Sequence, residues 1–263
     1  MEKIYIDKVR LKKHLIIYAR NSYIDIKLKN VLKSFSPGSF VSLASGTLFS
    51  CIITKINNTN KPCDILSLDR YDLVYLKRCF CNLDVLKKCL TNDNDNDNDN
   101  DKKVFEIIGC EGLRYYFYRA MKSHDRICKL FNIACFMSGS QNLQQLSASI
   151  FTSVVVSFTD RLFEVFESDT SRRWKLSTVA PLFNISVITV RKRLDAEQTS
   201  FSRVLLDFRM NKAAELLLDN ELKIHQIADK VGIPNVSYFI KTFKKYYGVT
   251  PKVFVSYFIG QEN

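Results

Sequence analysis

Two segments of the chain repeat one pattern at a spacing of 48 residues. The first consists of residues 176–186 followed by 187–194, and the second of residues 224–234 followed by 235–243. Each opens with apolar residues at helical spacing, passes through a short turn and ends in a second amphipathic stretch. Two short helices joined in this way form a helix-turn-helix, which places its second helix in the major groove of DNA. The repeat therefore predicts an all-α region with two DNA-reading elements.

Matched positions of the two segments carry residues with the same physical role. Ala180 and Ala228 are small, which suits a point where two short helices cross at close range. Ile185 and Ile233 follow the turn, and their spacing directs them into the core between the helices. The agreement at both positions favours a common backbone design over a chance similarity in composition.

The turn itself requires a residue in the left-handed backbone region. Asn184 and Gly232 stand at this place, and these two residue types tolerate that conformation best. Ser186 and Asn235 can then accept a hydrogen bond from a free amide at the start of the second helix. These residues specify where each second helix, called here the recognition helix, begins.

A long helical pattern over residues 201–218 separates the two segments. A rigid linker of this kind would let both recognition helices enter successive major grooves, about 34 Å apart on one face of the DNA. Pro181 departs from the pattern because it lies inside the first short helix. With Ser177 as the cap, Pro181 removes a backbone hydrogen bond in the second turn. We therefore expect that helix to start later or to bend.

Three ordered motifs of this region carry a family resemblance. They are Arg209-Met-x-x-Ala213-Ala-x-Leu-Leu, Ile227-Ala-Asp-x-Val-Gly-Ile and Tyr238-Phe-Ile-Lys-Thr-Phe-Lys-Lys-Tyr-Tyr-Gly248-Val-Thr-Pro251. Through them, residues 157–263 resemble the AraC/XylS family of transcriptional regulators. Within that family, Arg191-Lys-Arg-Leu and Ser237-Tyr-Phe-Ile-Lys are similar to the enterobacterial virulence and fimbrial activators.

The resemblance implies an effector-binding or dimerisation domain at residues 1–155 and an AraC-type DNA-binding domain at residues 156–263. The fold class expected is α+β: a mixed N-terminal domain, cupin-like β then α, followed by an all-α domain with two helix-turn-helix elements joined by a long helix. The alternating Asn and Asp of residues 92–101 predict a solvated loop. Strand patterns fall within residues 4–60 and at 104–108, and helical patterns at 69–90, 111–122, 125–137, 143–151 and 154–166.

On the first recognition helix, spacing makes Val187, Val190 and Leu194 the buried side. The side chains left outside are the candidates for DNA contact: Ile188, Thr189, Arg191, Lys192 and Arg193. The family resemblance puts Ile188, Arg191 and Lys192 opposite base edges, where Arg and Lys can bond to guanine and Ile can pack on a thymine methyl group. The alternative is a basic face that is merely solvated.

On the second recognition helix, spacing makes Phe239 and Phe243 core residues. The groove-facing candidates are Val236, Ser237, Ile240 and Lys241, and Lys241 joins Lys244 and Lys245 as candidates for phosphate contact. Only Ser237 and Lys241 of the groove-facing set can hydrogen-bond to base edges, so this half looks less selective for sequence. Packing, rather than DNA contact, is expected of the nearby aromatic residues Trp174, Tyr246 and Tyr247.

Composition agrees with a polyanionic partner. The net charge is +12, and residues 170–263 hold 15 Lys or Arg against 8 Asp or Glu. All eight cysteines precede residue 136, and no pair has the CxxC spacing of a zinc site, so reduced thiols packed as small hydrophobic groups are expected. No catalytic triad, phosphate-binding loop or metalloprotease motif is present. The sequence thus predicts neither an enzyme nor a bound cofactor or metal.

A small-molecule effector follows from the resemblance alone. Lys12, His14 and Arg70 are the residues it offers for a carboxylate, either a long-chain fatty acid or another small anion, although Arg70 can equally pair with Asp69 or Asp72. The apolar helices at residues 143–166 serve a homodimer contact or internal packing equally well. The charged start of the chain and the lack of a long apolar run predict a cytoplasmic, nucleoid-associated protein with no membrane partner.

The function expected is a sequence-specific regulator, an activator of virulence or fimbrial genes that binds AT-rich double-stranded promoter DNA and works with RNA polymerase. The alternative is a repressor, or an anti-silencing or architectural DNA-binding protein, without a small-molecule effector. Both alternatives use the same recognition helices, so the sequence does not choose between them.

Overall fold

The computed structural model describes residues 2–29, 31–57, 61–80, 103–141, 143–154 and 157–259. These form two compact units. The N-terminal unit contains Met1–Ile4 and Lys13–Val155, and the C-terminal unit contains Tyr5–Lys12 and Val156–Asn263. The first is built of strands followed by helices and the second mainly of helices, which confirms the predicted α+β class. The predicted boundary at residue 155 puts all of residues 1–155 in the first domain, whereas the structure groups the eight residues Tyr5–Lys12 with the C-terminal unit.

The described strands are β1 (Lys3–Arg10), β2 (His14–Tyr18), β3 (Ser22–Leu28), β4 (Val31–Phe35), β5 (Phe40–Leu43), β6 (Leu48–Lys55), β7 (Asp64–Leu68) and β8 (Val104–Ile107). They form two antiparallel sheets. In the N-terminal unit β3 pairs with β4 and β6, and the second sheet has the order β7-β2-β5-β8. Strand β3 shows the alternation expected of a half-buried strand, with Ile24, Ile26 and Leu28 inside.

Four helices pack on the second sheet around one apolar core. They are α1 (Arg70–Phe80), α2 (Glu111–Lys122), α3 (Arg126–Ser138) and α4 (Leu143–Ser153). Ile16 and Phe40 of the sheet share this core with Leu76, Phe117 and Phe136 of the helices. The bounds of α2 coincide with the prediction, and β8 and α3 lie within one residue of theirs. The predicted helix at 69–90 is observed as far as Phe80, and its remainder and the Asn/Asp tract of 92–101 fall outside the described residues.

The C-terminal unit contains seven helices in its described residues. They are α5 (Phe158–Glu167), α6 (Leu176–Val179), α7 (Val187–Ala196), α8 (Phe201–Asp219), α9 (Ile224–Lys230), α10 (Val236–Tyr247) and α11 (Pro251–Ile259), with a 3₁₀ turn at Ala180–Phe183. Helix α8 is the long helix expected between the two helix-turn-helix elements. Both elements are therefore present in the predicted order.

One predicted helix boundary is wrong. The apolar pattern from Val154 to Phe166 suggested a continuous helix, but α5 begins at Phe158. Ser157 and Asp160 form a capping box, in which the Asp160 amide donates to Ser157 Oγ (3.0 Å) and the Ser157 amide to Asp160 Oδ2 (2.9 Å). This reciprocal cap favours a new helix at that point. The apolar residues of α4 and α5 pack inside their own units, as the buried Leu146 and Leu162 show.

The expectation for the cysteines holds only in part. Cys51 and Cys63 are buried thiols, and burial raises the pKa of Cys51 to about 12. The expectation is wrong for four others, which are exposed because they lie on the outer faces or at the ends of helices: Cys79, Cys110, Cys128 and Cys135. Cys81 and Cys89 fall outside the described residues. Within the described part of the chain, no helix is both long and apolar enough to span a bilayer.

Candidate nucleic-acid interface

The first helix-turn-helix adapts to its proline by changing helix type. Helix α6 is a single turn from Leu176 to Val179, with Lys175 rather than Ser177 at its N-cap. The chain then tightens into the 3₁₀ turn, and Pro181 lies at its start, where a missing N–H costs little. The structure thus realises the expected bend, and the proline does not interrupt a regular α-helix.

The turn that follows has the predicted chemistry. Asn184 is left-handed, with φ 52°. The amides of Asn184 and Ile185 donate to the carbonyls of Pro181 (3.0 Å) and Ala180 (3.2 Å), which ends the first helix. Ser186 Oγ then accepts from the Thr189 amide at 3.1 Å and caps α7, as predicted. The start of the first recognition helix is therefore fixed by side-chain and backbone bonds of the turn itself.

Helix α7 presents the predicted buried and exposed sides. Val190 and Leu194 are buried, and Val187 is half-buried. Ile188 is 66% exposed, although it is a large apolar residue. Arg191 and Lys192 are exposed beside it, and Thr189 is half-buried, with its hydroxyl 2.9 Å from Ser186 Oγ. An apolar side chain flanked by two cations is the combination that can read a thymine methyl group and a guanine edge.

Arg193 has a structural partner that sequence spacing did not indicate. Its guanidinium lies 5.3 Å from the ring centroid of Phe158, at the start of α5. The C-cap residue of α7, Glu197, accepts hydrogen bonds from the Phe158 amide (2.5 Å) and the Thr159 amide (3.1 Å). The end of the first recognition helix is thus bound to the first turn of α5.

The second helix-turn-helix uses a glycine where the first uses an asparagine. Gly232 is left-handed (φ 71°), and an added Cβ would lie 2.8 Å from the carbonyl oxygen of Ser171. Only glycine therefore satisfies both the backbone angle and the space at this turn. The Ile233 amide donates to Ala228 O (2.9 Å), and Asn235 Oδ1 accepts from the Tyr238 amide (2.9 Å), which confirms the predicted cap.

Helix α10 buries Phe239 and Phe243, as predicted. The polar candidates are exposed, namely Ser237, Lys241, Lys244 and Lys245, whereas Val236 and Ile240 are half-buried. Tyr238 is 62% exposed on the first turn of this helix, between Ser237 and the core residue Phe239. Tyr238 is not among the DNA-contact candidates predicted from the sequence. Its place beside Ser237 in the first turn of α10 and its hydroxyl, which can donate or accept, are the signals that point to it.

The nearby aromatic residues pack inside the unit, as expected. Trp174 is buried, and its indole N–H donates to Asp169 O at 3.0 Å. The Tyr246 hydroxyl donates to Asp207 Oδ1 (2.7 Å), and the Tyr247 hydroxyl donates to Met210 O (3.1 Å). Burial raises the pKa of both tyrosines, so both stay protonated donors. These bonds attach the second recognition helix to α8.

The three effector candidates have different surroundings. His14 is fully buried, with Nε2 3.0 Å from Ser42 Oγ and Nδ1 3.2 Å from Ser153 Oγ. Burial lowers the pKa of His14 to about 3, so the imidazole is neutral near pH 7. Arg70 is exposed at the first position of α1 in the same unit. Lys12 belongs to the C-terminal unit and pairs there with Glu167.

The carboxylates beside Arg70 have other cationic partners. Asp72 is buried and accepts from Arg126 Nε (3.1 Å) and Lys129 Nζ (2.8 Å), and Asp69 pairs with Arg126. These bonds hold α1 against α3. Within the described residues, no group of three or more His, Cys, Asp or Glu side chains is arranged to hold a metal ion.

Two helix-turn-helix elements with exposed basic recognition helices define a DNA-binding protein, and comparison with known proteins narrows the class. Residues 179–256 match the family described as Helix-turn-helix domain. The chain is 34% identical over 259 residues to the HTH-type transcriptional activator CfaD of Escherichia coli, covering 98% of this chain and 96% of that protein. It is 33% identical to the DNA-binding dual transcriptional regulator Rns of Escherichia coli over the same shares. The chain belongs to the AraC family of transcriptional regulators, a family of DNA-binding proteins and not of enzymes.

Further comparisons agree with this assignment and with the fold. The virulence regulon transcriptional activator VirF of Shigella flexneri is 30% identical over 251 residues, 95% of this chain and 94% of VirF. The crystal structure of ToxT from Vibrio cholerae superposes with a TM-score of 0.72 at 16% identity, over 98% of this chain and 95% of that one. A structure of ToxT with a bound unsaturated fatty acid gives 0.69 at 18% identity, over 100% and 93%. At such identities the likeness shows a shared fold.

Proposed function

We propose that the protein is a sequence-specific transcription activator of virulence or fimbrial genes, which binds AT-rich promoter DNA through two successive major grooves. The observation that carries the proposal is the exposed face of α7, where Ile188, Arg191 and Lys192 stand together. Relatives at 30–34% identity over nearly the whole chain are named as transcriptional activators or regulators, one of them of a virulence regulon. Promoter DNA of a bacterium lies in the cytoplasm, on the nucleoid, and we place the protein there.

Base reading is assigned chiefly to α7. Arg191 and Lys192 donate to guanine N7 and O6, and Ile188 contacts a thymine methyl group. Thr189 and Arg193 complete the DNA-binding set at the edge of this helix, since one is half-buried and the other packs on Phe158. A side chain that is half-buried or packed on a ring reaches less far into the groove, so Thr189 and Arg193 are assigned contacts to the DNA backbone.

Helix α10 is assigned a larger share of backbone contact. Ser237 and Lys241 reach base edges, with Val236 and Ile240 as apolar contacts beside them. Lys244 and Lys245 are exposed near the end of the same helix and bind phosphates, which carry no sequence information. The proposal thus expects the first groove to contribute more selectivity than the second.

Activation requires contact with RNA polymerase, which the proposal includes as a partner. The alternative is a repressor or an anti-silencing protein that uses the same DNA contacts without a small-molecule effector. A reporter assay with the binding site placed upstream of the promoter or within it separates the two. Increased expression with purified RNA polymerase and the upstream site supports activation. Repression from both positions supports a repressor, and increased expression only in cells, where a silencing protein is present, supports anti-silencing.

We propose a long-chain fatty acid as the effector, with Lys12, His14 and Arg70 as its candidate contacts. The support is the fatty acid bound to ToxT, which shares the fold. Both ring nitrogens of the buried His14 are bonded to serine hydroxyls, so His14 would contact the carboxylate only by exchanging one of these bonds. Because His14 is neutral, the positive charge would come from Arg70 or Lys12. Another small anion is the alternative ligand.

A homodimer is the remaining part of the proposal. Ile127 and Phe131 of α3 are 58% and 61% exposed, and Tyr115 of α2 is 55% exposed, so α2 and α3 offer an apolar face for a second copy. Light scattering of the protein with Phe131→Ser is the test. A mass that falls from two copies to one supports the dimer, and a wild-type protein of one copy contradicts it.

The central experiment is a footprint on AT-rich promoter DNA at fixed salt, with and without a long-chain fatty acid. Two protected major grooves one turn apart support the DNA-binding proposal. Their loss on addition of the lipid supports the effector, and an unchanged footprint rejects it. Lys192→Ala should weaken protection, whereas Lys122→Ala, a matched change on the exposed surface of α2, should not. Salt-sensitive binding without a discrete footprint would contradict sequence-specific regulation.

A further inference from the structure

Residues Tyr5–Lys12, which we call the strap and which include most of β1, belong to the C-terminal unit, whose other residues are Val156–Asn263. Two of the strap's carbonyl oxygens are bound by side chains of α8. Arg203 Nη2 donates to Lys8 O at 2.7 Å, and Asn211 Nδ2 donates to Arg10 O at 3.0 Å. Main-chain carbonyls cannot rotate away as side chains do, so these bonds fix the strap's position along α8.

The strap has two further attachments in the same unit. Lys12 pairs with Glu167 at the end of α5, and its ammonium lies 5.0 Å from the ring centroid of Phe208 on α8. Burial opposes ionisation of Glu167, but the hydrogen bond and charge of Lys12, helped by Lys212, outweigh it and lower the pKa of Glu167. At its other end the strap passes the residue that ends α10.

That residue is Gly248, the left-handed C-cap of the second recognition helix (φ 80°). A Cβ at this position would overlap the carbonyl oxygen of Tyr5. Gly248 therefore serves two purposes, because it ends the helix and lets the strap's backbone approach. The approach places the strap beside the end of the helix that is proposed to enter the second groove.

A chain of polar contacts, from the half-buried Arg203 to the buried Asp207 and Tyr246, connects the strap to the same helix. Arg203, which holds Lys8 O, also donates through Nε to Asp207 Oδ1 at 3.0 Å, and its guanidinium lies 5.3 Å from the ring centroid of Tyr246. Asp207 is fully buried and accepts from the Tyr246 hydroxyl on the same oxygen, while its Oδ2 has no hydrogen-bond partner. A buried carboxylate is costly unless its partners are held in place. The strap is one of the groups that hold Arg203.

We propose that the strap positions the second recognition helix for DNA. Arg203 and Asn211 are positioning residues, which act through Asp207 and Tyr246 and through the strap's carbonyls and touch no DNA themselves. The inference rests on the proposed DNA interface and adds a determinant outside the helix-turn-helix sequence. It assigns part of the second groove's recognition to residues at the start of the chain.

The test combines strap variants with changes in the DNA, in the full-length protein. Arg203→Lys keeps a cation for Asp207 but loses the arm that reaches Lys8 O, and Asn211→Asp replaces the donor to Arg10 O with an acceptor. Arg161→Lys, an exposed arginine on α5, is the matched control. For each protein, the affinity is measured for the wild-type site and for sites with base pairs changed in the first or in the second groove, together with the Tm.

For the wild-type protein and the control, base changes in either groove should lower the affinity. In the strap variants, the affinity for the intact site should fall about tenfold, the effect of one lost hydrogen bond to a charged or buried group. Base changes in the second groove should then lower the affinity no further, while base changes in the first groove should lower it as much as they do for the wild-type protein. This pattern supports positioning, because a general loss of folding leaves both costs in place.

Two outcomes overturn the inference. If base changes in the second groove lower the affinity of the strap variants as much as that of the wild-type protein, the strap is structural only, whether or not the Tm falls. If the wild-type protein shows no base-dependent cost in either groove, the proposed DNA interface is wrong and the positioning role fails with it. The first outcome leaves the proposed function intact, so the two failures are distinguishable.

Discussion

The two helix-turn-helix elements share a backbone plan but are attached to the rest of their unit by different means. The first packs on a cluster of aromatic rings, in which Phe166 lies 5.8 Å from Trp174 and 5.4 Å from Phe208, between ring centroids. The second also packs on rings, with Phe243 5.4 Å from Phe254 between ring centroids, but it is joined in addition to α8 by hydrogen bonds from the buried hydroxyls of Tyr246 and Tyr247. Apolar packing tolerates small shifts, whereas a hydrogen bond to a buried carboxylate does not. The 48-residue repeat therefore specifies the turn of each element but not how the element is attached to the rest of the unit.

Their turns make the same point. Asn184 and Gly232 adopt the same left-handed conformation, but only the glycine is also required by a neighbouring backbone atom, Ser171 O. The first turn is thus set by local conformation and the second by tertiary packing as well. We therefore expect the two halves to fail separately when each attachment is broken.

The largest effect should come from removing one core ring in each half. Phe166 and Phe243 are both fully buried among other rings, so either Phe→Ala change should lower the free energy of unfolding by about 3–5 kcal/mol. Denaturant unfolding measures the total, and amide hydrogen exchange shows where protection is lost. Phe166→Ala should expose α7 first, and Phe243→Ala should expose α10 first.

Leu32→Ala on β4 is the control, because that side chain is 64% exposed. It should change the free energy of unfolding by less than about 0.5 kcal/mol. Equal loss of protection in α7 and α10 with either core variant would show that the two halves unfold as one body.

A second effect should distinguish base reading from phosphate binding. Lys192→Ala should weaken binding at one base step by about 1–3 kcal/mol. Lys245→Ala should weaken binding to all sequences alike and reduce the slope of log K against log salt by about 1. Affinities for a panel of single base-pair variants, taken at several salt concentrations, give both quantities. A uniform loss with Lys192→Ala would reassign that residue to a phosphate.

The pH should change the free energy of unfolding through Asp207, which is bonded to the second recognition helix by Tyr246. Burial raises the pKa of Asp207, although the bonds from Tyr246 and Arg203 oppose the shift. A carboxyl with a raised folded pKa contributes stability that is fully present below its unfolded pKa, about 3.8, and is lost as the pH rises through the folded value. The free energy of unfolding of the wild-type protein should therefore rise relative to Asp207→Asn as the pH is lowered towards 4.

Denaturant unfolding of both proteins between pH 7 and pH 4 measures this difference, from which the other titrating groups cancel. Asp195→Asn, a change on the exposed surface of α7, is the matched control. A difference that runs in the opposite direction would mean that the bonds to Asp207 outweigh its burial.

The smallest effect should come from the proline of the first half. Pro181 lies at the start of the 3₁₀ turn, in a conformation that suits it, so Pro181→Ala should lower the free energy of unfolding by about 0.4–1 kcal/mol through the unfolded chain. Thermal unfolding and a footprint of the first groove are the measurements. A stabilised Pro181→Ala protein would show that the 3₁₀ geometry is strained.

Much of the C-terminal unit could be predicted because its signals are local. The left-handed Asn184 and Gly232 and the caps Ser186 and Asn235 act within a few residues of themselves, and the structure confirms all four. The family, which rests on the motifs that begin at Arg209, Ile227 and Tyr238, and the α+β class that the resemblance implies are also confirmed. The break before α5 could have been found, since Ser157 and Asp160 have the spacing of a capping box.

Contacts between distant parts of the chain had no such signal. Arg193 counted as a surface cation because its partner Phe158 lies 35 residues earlier. The bond from Arg203 to Lys8 O joins residues 195 apart, and a carbonyl acceptor belongs to every residue type and leaves no trace in the sequence. The spacing of apolar residues predicts which side chains of α7 and α10 lie outside the core, and the DNA contacts of those side chains stay predictions.

The length of α8 restricts how regulators of this kind diverge. The helix has 19 residues, and one inserted residue would turn everything beyond it by about 100° and move it by about 1.5 Å. Side chains on the recognition helices can be exchanged one at a time, but the spacing between them cannot drift in small steps. Descendants that keep this helix intact should acquire promoters with new bases while they preserve the helical phase of the two half-sites.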